Sequence, residues 1–347
     1  MKRLVWGVAV VLAVSSVTIR ANDDKKSSSA LTTAITKAAD SLLARQRTFN
    51  NGGLQSDETP IGGILACSWE WEAGSGWAYP NTQSPTARGL LAAYAVTEKS
   101  KYLAGAVCAA NRLVAYLDAN PTERPYSEDV IFLTEVSEAS GNRTYATRAA
   151  LYHKRTRTKF ATGALLTDYY ISKRLSLASW DLASQIDAAV AVDQEDYARA
   201  IAEQLIDRRA SWEGVLFYNG WDYTTIGRAA LLSSLKPFEG KTIRKYRDEA
   251  IKSTLAAQAA NGSWDSDDYQ ATGFGIAGLS TVPSSASVSA ARTKGIAYLL
   301  TTQSTGGGWI YPAWAGYPAT EYPEIDGEVL SALCRFAKDH GEDDRDQ

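Results

Sequence analysis

The sequence has 347 residues, of which 45% are hydrophobic and 22% are charged, and its formal net charge at pH 7 is −3. These proportions are those of an ordinary globular protein. The acidic balance argues against a nucleic-acid partner, because phosphate binding needs a basic face. The one basic cluster, at residues 153–159 (HKRTRTK), is better explained as the solvated face of a helix.

The first 21 residues predict a signal peptide. Lys2 and Arg3 precede an apolar run at residues 4–17, which is too short to span a bilayer comfortably, and Ala21 offers a small residue for cleavage. A membrane-tethered N-terminus is the alternative. We expect an exported protein, secreted or periplasmic, that has no membrane contact after cleavage.

The mature chain is predicted to be one folded domain between two polar ends. Residues 22–29 (NDDKKSSS) form a polar tether, which we expect to be disordered, and residues 339–347 form an acidic tail. The folded domain is expected at residues 30–338, and we expect it to be a monomer.

Three cysteines are present: Cys67, Cys108 and Cys334. In an oxidising compartment one pair could bridge and leave one thiol, and the sequence leaves the pairing open. Cys108 and Cys334 lie in apolar helical patterns, where cysteine acts as a small buried hydrophobe. No cysteine or histidine spacing suggests zinc, so we predict no metal site and no cofactor.

The folded part repeats a helical hairpin six times. Each unit has an amphipathic helix, a loop rich in Gly, Trp, Tyr and Asp, and a second helix rich in small apolar residues. In chain order the predicted pairs are 31–46 with 86–97, 101–117 with 127–141, 145–175 with 178–192, 196–210 with 225–235, 246–258 with 270–280, and 287–303 with 325–340.

The two kinds of helix predict the architecture. The second helices lack a broad polar face and should be buried all round, whereas the first helices keep charged residues on one face. This pattern predicts an all-α fold, an (α/α)6 toroid with an inner and an outer ring of helices. The inner helices would then all begin at one end, where the loops line a funnel. An open α-solenoid is the competing architecture.

One loop carries a specific motif, in which a helix ends in Gln and a Trp follows six residues later across glycines. The sixth unit contains Lys294, Gly295, Tyr298, Leu299, Gln303, Gly307 and Trp309 at the motif positions. The fifth unit repeats its second half with Gln258, Gly262 and Trp264, and the first keeps Lys37, Leu42 and Gln46. This resembles the QW repeat of the terpenoid-cyclase and protein-prenyltransferase toroid superfamily, and the hairpin resemblance covers nearly the whole mature chain.

The motif residues Gln258, Trp264, Gln303 and Trp309 are expected to be structural clamps. A glutamine amide can satisfy the orphan carbonyls at the end of an outer helix and the orphan N–H groups at the start of the next inner helix. The tryptophan can stack on that amide and cover it, and the glycine allows a turn with positive φ.

The chemistry of this superfamily is not carried by matching residues. Class II terpene cyclases use a DxDD motif that runs directly into the inner helix, but the DSDD at residues 265–268 ends upstream of the matching helix at residues 272–279. We expect these aspartates to cap the helix or to lie in a solvated loop. The zinc ligands of prenyltransferases and the GCGEQ thioester sequence have no counterpart here, and Ser–His–Asp chemistry would depend on His153 alone.

The predicted funnel is rich in aromatic and acidic residues, which suits a glycan, because sugar rings stack on aromatic faces and their hydroxyls bond to carboxylates and amides. The leading hypothesis is an exported glycoside hydrolase or polysaccharide lyase. The candidate acids and bases are Asp222, Asp268, Glu324 and Asp326. The candidate ligand-binding residues are Trp77, Tyr79, Asn81, Tyr126, Trp221, Tyr223, Tyr269, Tyr311 and Trp314. In a lyase, Tyr223 or Tyr269 could share the proton transfer.

Two other classes stay open from the sequence. A non-catalytic binding or scaffold protein would have funnel carboxylates too far apart or too exposed to work together. An isoprenoid-handling toroid, of the terpene cyclase or prenyltransferase kind, would need a deep, dry, aromatic cavity with one neutralised acid.

Overall fold

The structure is a computed structural model that describes residues 29–46, 67–71, 80–312 and 319–343. The predicted signal peptide and residues 22–28 of the predicted tether lie outside these residues. Thirteen α-helices lie in the described residues: α1 (29–45), α2 (Pro80–Thr97), α3 (Ser100–Ala119), α4 (Ser127–Ser140), α5 (Thr144–Lys159), α6 (Gly163–Arg174), α7 (Leu177–Ala191), α8 (Glu195–Asp207), α9 (Thr224–Ser234), α10 (Lys241–Ala256), α11 (Tyr269–Leu279), α12 (Ala286–Thr302) and α13 (Pro323–Asp343).

The helices form two concentric rings. The inner helices α2, α4, α7, α9, α11 and α13 each pack on the next, and α13 packs on α2, so that the inner ring is closed. The remaining helices form the outer ring around them. All six inner helices begin at the same end of the barrel, where a short antiparallel pair, β1 (Ile310–Tyr311) and β2 (Thr320–Glu321), also lies. The predicted α/α toroid is confirmed, and the open solenoid is excluded.

Small residues let the inner helices approach closely. A Cβ on Gly89 of α2 would lie 2.7 Å from Cα of Gly327 on α13, and a Cβ on Gly327 would lie 2.6 Å from Cα of Thr86. At the next interfaces, Gly227 of α9 lies against Ser179 of α7, and Gly278 of α11 lies against the backbone of α9. The small-residue composition of the inner helices therefore reflects backbone-to-backbone packing as well as burial.

The glutamine and tryptophan clamps tie the outer helices together. Gln303 Nε2 donates to the carbonyls of Gly307 (2.8 Å) and of Ala34 on α1 (3.0 Å), and Gln258 Nε2 donates in the same way to Gly262 (2.9 Å) and to Ala291 on α12 (2.8 Å). These amides thus reach the neighbouring outer helix, rather than the start of the next inner helix that the sequence suggested.

Each clamp tryptophan is fully buried and donates its indole N–H to its own outer helix. Trp264 bonds to the Thr254 carbonyl (2.7 Å) and Trp309 to the Leu299 carbonyl (2.9 Å). Trp69 does the same in the first unit, with a bond of 2.8 Å to the carbonyl of residue 42. Trp69 is therefore a third clamp tryptophan.

Glycine is required in these loops for a conformational and a spatial reason. Gly262 and Gly307 have φ of +97° and +106°, which side chains other than glycine rarely adopt. A Cβ at Gly262 would lie 2.3 Å from the carbonyl oxygen of Lys294, and one at Gly307 would lie 2.5 Å from that of Lys37. Each loop therefore rests directly on the backbone of the next outer helix.

Several helix boundaries differ from the sequence-based expectation. Helix α2 begins at Pro80 rather than at residue 86, and α10 begins at Lys241 rather than at residue 246. The single helix expected at residues 145–175 is two helices, α5 and α6. The side chain of Thr162 caps α6 by accepting from the Leu165 N–H (3.2 Å), which starts a new helix after the buried Phe160. At the other end of the chain, α13 continues into the expected tail, because Asp339 pairs with Arg292 of α12.

Cys67 and Cys108 form a disulfide with a Cα–Cα distance of 5.3 Å, and Cys334 is a free, buried thiol. The bond fastens the loop that carries Trp69 and Trp71 to helix α3. Cys108 is therefore a cross-link rather than the small buried hydrophobe that its sequence context suggested.

Replacing Gly327 by alanine should destabilise the protein, because the new methyl group would clash with the backbone of α2 in a ring that cannot open. We expect a loss of about 1–3 kcal/mol in the free energy of unfolding, as in overpacked cores. Chemical denaturation of the variant and the wild type measures this difference.

Gly273→Ala is the matched control, since Gly273 is also in an inner helix but a Cβ there would make only ordinary contacts of 3.5–3.7 Å with Val329. Its higher helix propensity should make this variant neutral or more stable by up to about 1 kcal/mol. Equal effects of the two substitutions would contradict the close-packed ring.

Candidate functional site

A cavity of about 430 Å³ lies at the end of the barrel where the inner helices begin. All six hairpins contribute to its wall, through the first turns of the inner helices and the loops before them. The lining residues are Trp71, Asn81, Pro85, Tyr126, Ser127, Glu128, Arg174, Leu177, Trp180, Asp181, Ser184, Asn219, Trp221, Tyr223, Ile226, Asp265, Asp268, Gln270, Ala271, Tyr311, Tyr322, Glu324, Ile325 and Glu328.

Three glutamates form an acidic cluster in this wall. Glu324 and Glu328 lie one turn apart on α13, and Glu128 is in the first turn of α4. Burial raises the pKa of Glu324, and the negative charge of Glu128 raises it further. Burial also raises the pKa of Glu328, together with the charge of Glu324, while a hydrogen bond of 2.7 Å from Gln270 Nε2 acts in the opposite direction. The protonated forms of Glu324 and Glu328 are therefore favoured more than in an exposed carboxyl group.

Glu128 is held differently from the other two glutamates. Its Oε2 pairs with Arg88 Nη1, and its Oε1 accepts from Ser184 Oγ at 2.7 Å. Arg88 also makes a bidentate pair with Glu135, with both N–O distances at 2.8 Å. Charge-assisted hydrogen bonds of this kind fix the position of a carboxylate. The site thus combines a glutamate held by ion pairing with two glutamates whose pKa is raised.

Further ionisable groups lie deeper in the barrel. Burial raises the pKa of Asp187 on α7 to about 7, with Ser234 and Arg88 acting in the opposite direction. Asp129 on α4 is also raised to about 7 by burial, although it accepts from Ser84 Oγ (2.6 Å) and from the Tyr126 N–H (2.9 Å). The inner helices were expected to be buried all round, and the structure shows that they also bury carboxyl groups.

The aspartates of the DSDD segment take both of the roles that the sequence suggested, which are helix capping and a place in a solvated loop. Asp268 caps α11 by accepting from the Ala271 N–H (2.8 Å), and it also accepts from the Tyr311 hydroxyl inside the cavity. Burial raises the pKa of Asp268. Burial also raises the pKa of Asp265, and the charge of Asp268 raises it further. Asp267 is exposed, and its side chain bonds to Ser263 and Asn261 within the loop.

The aromatic residues of the wall form two packed groups. On one side, Tyr311 contacts Tyr322 and Tyr269 edge-on at 6.0 Å, and Trp71 contacts Tyr322 at 5.6 Å. On the other side, Trp180 lies 6.2 Å from Tyr223. These contacts hold the rings in place, and both groups line the same cavity.

The structure brings together only part of the predicted site. Of the candidate acids, Asp268 and Glu324 line the cavity. Asp222 is exposed and its Oδ1 caps α9 through the Thr224 N–H (2.9 Å). Asp326 is fully buried, pairs with Arg45 and accepts from the Trp309 N–H (2.8 Å), so it belongs to the clamp of the sixth unit.

Among the candidate ligand-binding residues, five line the cavity: Asn81, Tyr126, Trp221, Tyr223 and Tyr311. Tyr269 lies behind Tyr311 and stacks on Tyr298 at 5.8 Å. Trp77, Tyr79 and Trp314 lie outside the described residues.

Sequence reasoning did not single out Glu328 or Arg88, and it gave Glu128 no chemical role. A signal was present, because each of these charges stands in a helix that otherwise reads as buried. Glu324 and Glu328 are four residues apart, which places them on one face of α13. A charged residue in the first turns of a helix that is otherwise predicted to be buried would thus have indicated the cluster.

Within the described part of the chain, no group of three or more His, Cys, Asp or Glu side chains has an arrangement that could hold a metal ion. No helix there is long and apolar enough to cross a membrane.

The sequence matches no family model and no curated protein. Solved structures do resemble it. An unsaturated glucuronyl hydrolase specific for heparin superposes with a TM-score of 0.61 and 12% identity, over 90% of this chain and 98% of the other. A possible member of the GH105 family from Klebsiella pneumoniae subsp. pneumoniae MGH 78578 superposes with a TM-score of 0.60 and 13% identity, over 90% of this chain and 94% of the other. A type II terpene cyclase from Scytonema superposes with a TM-score of 0.59 and 15% identity, over 90% of this chain and 98% of the other.

These likenesses agree with the resemblance noted in the sequence, since all three proteins share the α/α toroid with this chain. They include sugar-cleaving and terpene-cyclising enzymes, and at such low identity they show the fold alone. The function must therefore be argued from the residues of the cavity.

The buried carboxyls predict a stability that falls as the pH rises. Asp187 binds its proton more tightly in the folded protein than in the unfolded chain, so its stabilising effect is complete at acidic pH and is lost as the pH rises through about 7. Asp187→Asn removes this dependence. We expect the loss of unfolding free energy between about pH 5 and pH 8 to be smaller in the variant by about 2 kcal/mol.

Urea denaturation at both pH values measures this difference. Asp248→Asn, on the outer helix α10, is the control and should leave the pH dependence as in the wild type. The same slope in Asp187→Asn and the wild type would show that Asp187 does not retain a proton in the folded state.

Proposed function

We propose that the protein is an exported, monomeric, carbohydrate-active enzyme, a glycoside hydrolase that binds its glycan in the cavity at the mouth of the toroid. The observation that carries this proposal is the acidic cluster of Glu128, Glu324 and Glu328 facing an aromatic cavity. Glycoside hydrolysis needs one carboxylic acid that is still protonated and one carboxylate that is ionised. Burial and the charge of Glu128 favour the protonated form of Glu324, and Arg88 and Ser184 hold Glu128 in place as the second carboxyl.

Glu324 is assigned as the general acid. Its proton passes to the glycosidic oxygen as the bond between that oxygen and the anomeric carbon breaks, and the leaving sugar departs as an alcohol. Glu128 is assigned to the anomeric carbon: it either takes a proton from the attacking water or attacks the carbon itself. Arg88 and Ser184 keep Glu128 oriented in both cases.

Glu328 supports the acid rather than replacing it. It lies one turn further along α13, and burial and the charge of Glu324 raise its pKa, so the two carboxyls of this helix do not ionise together. Gln270 of α11 fixes its position through the 2.7 Å hydrogen bond. An acid that must stay protonated near neutral pH benefits from such a neighbour.

The charge of the cavity favours a neutral or amino sugar over a uronic acid. Six carboxyl groups line it, and Arg174, paired with Asp181 at 3.5 Å, is the one basic side chain among the lining residues named above. A lyase that eliminates next to a uronate must neutralise the carboxylate of its substrate. Among the lining residues named above, the one guanidinium is already paired with Asp181, so no unpaired cation is available to neutralise that group, and hydrolysis is the better assignment.

The two other classes fit less well. A scaffold protein has no need for buried glutamates close enough to raise each other's pKa, and such groups are costly to keep. A terpene cyclase would use one neutral acid among aromatic rings, which Glu324 resembles. The several further carboxyls and Arg174 make this wall more polar than a carbocation cavity requires.

Glu324→Gln should lower the rate of glycan cleavage by about 10²–10⁴-fold, because the amide has no proton to donate. Release of reducing ends from a panel of neutral polysaccharides measures this rate. The wild-type rate should also fall as the pH rises through the raised pKa of Glu324, well above the range of an ordinary carboxyl.

Glu203→Gln is the control, since Glu203 is exposed on the outer helix α8. It should leave the rate unchanged. An active Glu324→Gln enzyme would remove Glu324 as the acid, and a wild-type protein that cleaves and binds nothing in the panel would contradict the proposed function.

Charge selectivity can be measured on a matched pair of ligands, methyl-esterified and de-esterified polygalacturonate, which share a backbone and differ in charge. We expect the esterified form to bind more tightly by about tenfold at low ionic strength. This difference in affinity should decrease as salt screens the carboxylates. Affinity electrophoresis in gels containing each polymer gives the ratio. Tighter binding of the de-esterified form would contradict the charge argument.

A further inference from the structure

A second aromatic surface borders the cavity, on the loop before α9. Leu216, Tyr218 and Trp221 are 56%, 72% and 44% exposed, within a segment of six residues. We call these three side chains the aromatic platform, after the rings of Tyr218 and Trp221, beside which Leu216 adds an aliphatic side chain. Single exposed apolar residues are normal on a protein surface, but a contiguous group of large ones marks a recognition surface.

The platform is rigid rather than a mobile loop tip. The Phe217 N–H donates to the Trp221 carbonyl (2.8 Å), and the Gly220 N–H donates to the Phe217 carbonyl (2.8 Å), which closes a tight turn. Asn219 fastens the turn from inside, since its Oδ1 accepts from the Trp221 N–H (3.0 Å) and its Nδ2 donates to the Tyr223 hydroxyl (3.0 Å). The exposed rings are therefore held in position before any ligand arrives.

The platform continues directly from the cavity. Trp221 and Asn219 line the cavity wall, and Tyr218 stands between them in the sequence but outside that wall. Phe217 connects the two surfaces, with its ring 5.2 Å from Tyr218 and 5.9 Å from Tyr223, another lining residue. A ligand chain that leaves the cavity on the side of Trp221 therefore passes over Tyr218.

The size of the cavity gives a reason for such an extension. At about 430 Å³ it lies near the lower end of the range of about 300–1,000 Å³ for small-ligand pockets. A chain of several sugars must then continue outside it. An exposed, preorganised aromatic ring offers an apolar face to the C–H face of a sugar, at little cost in conformational entropy.

We propose that the aromatic platform is an outer sugar-binding subsite, with Tyr218 as its stacking residue, and that the natural ligand is an oligosaccharide or polysaccharide rather than a single sugar or a disaccharide. This proposal rests on the proposed function, because it extends the same glycan-binding site. It adds that affinity should increase with chain length, and that the increase depends on Tyr218.

The test uses the full chain carrying Glu324→Gln, so that ligands are not consumed. Affinity electrophoresis first screens xylan, mannan, mixed-linkage glucan, arabinan and chitosan. Calorimetry then compares the disaccharide and the hexasaccharide of the polymer that binds. Tyr218→Ala should weaken hexasaccharide binding by about fivefold to tenfold and leave disaccharide binding unchanged, and Tyr218→Phe should retain the affinity of the parent for both.

Leu165→Ala is the control, since Leu165 is 54% exposed on the outer helix α6 and does not line the cavity. It should change neither affinity. Hexasaccharide binding that Tyr218→Ala leaves intact, or an equal loss for both lengths, would overturn the platform while leaving the proposed function standing. Failure of the parent protein to bind any of the polymers would overturn both.

Discussion

The closing contact of the ring, helix α13 against helix α2, positions the whole site. The two backbones touch at Gly89 and Gly327, where no Cβ fits. That approach holds the first turns of α13, with Glu324 and Glu328, beside the helix that carries Arg88. It also gathers the starts of the six inner helices around one mouth. Without closure these groups would belong to separate hairpins, and neither the cavity nor the acidic cluster would exist.

A second constraint is the electrostatics of the barrel interior. Arg88 balances Glu128 and Glu135 by direct pairing, whereas Glu324, Glu328 and Asp187 lower the cost of burial by keeping protons. Burial of an unpaired charge is expensive, so a buried carboxyl is neutralised by a partner or by its proton. The toroid contains both kinds of carboxyl group side by side, those paired with Arg88 and those with a raised pKa. A pair made of one of each could serve acid–base chemistry.

Much of the fold followed from the sequence because it depends on local patterns. Helical periodicity, the small residues of the inner helices and the spacing from Gln303 to Trp309 are each readable within one hairpin. The residues of the site were harder to predict from the sequence, because the site depends on which residues of different hairpins come into contact. Asp326 and Glu324 are two positions apart, yet one is bonded to Arg45 in the outer ring and the other faces the cavity. Arg88 and Glu128 become partners only when α2 and α4 pack together.

The direct test of this account is the protonation of the cavity glutamates. Carbon-13 labelling of glutamate carboxyl groups, with Glu128→Gln, Glu324→Gln and Glu328→Gln for assignment, allows an NMR titration of each group. The account predicts that Glu324 and Glu328 keep their protons at pH values well above those at which an ordinary glutamate ionises. If all three instead lose their protons near the ordinary glutamate value of about 4.3, the cluster is a set of independent, solvated carboxylates and the proposed acid does not exist.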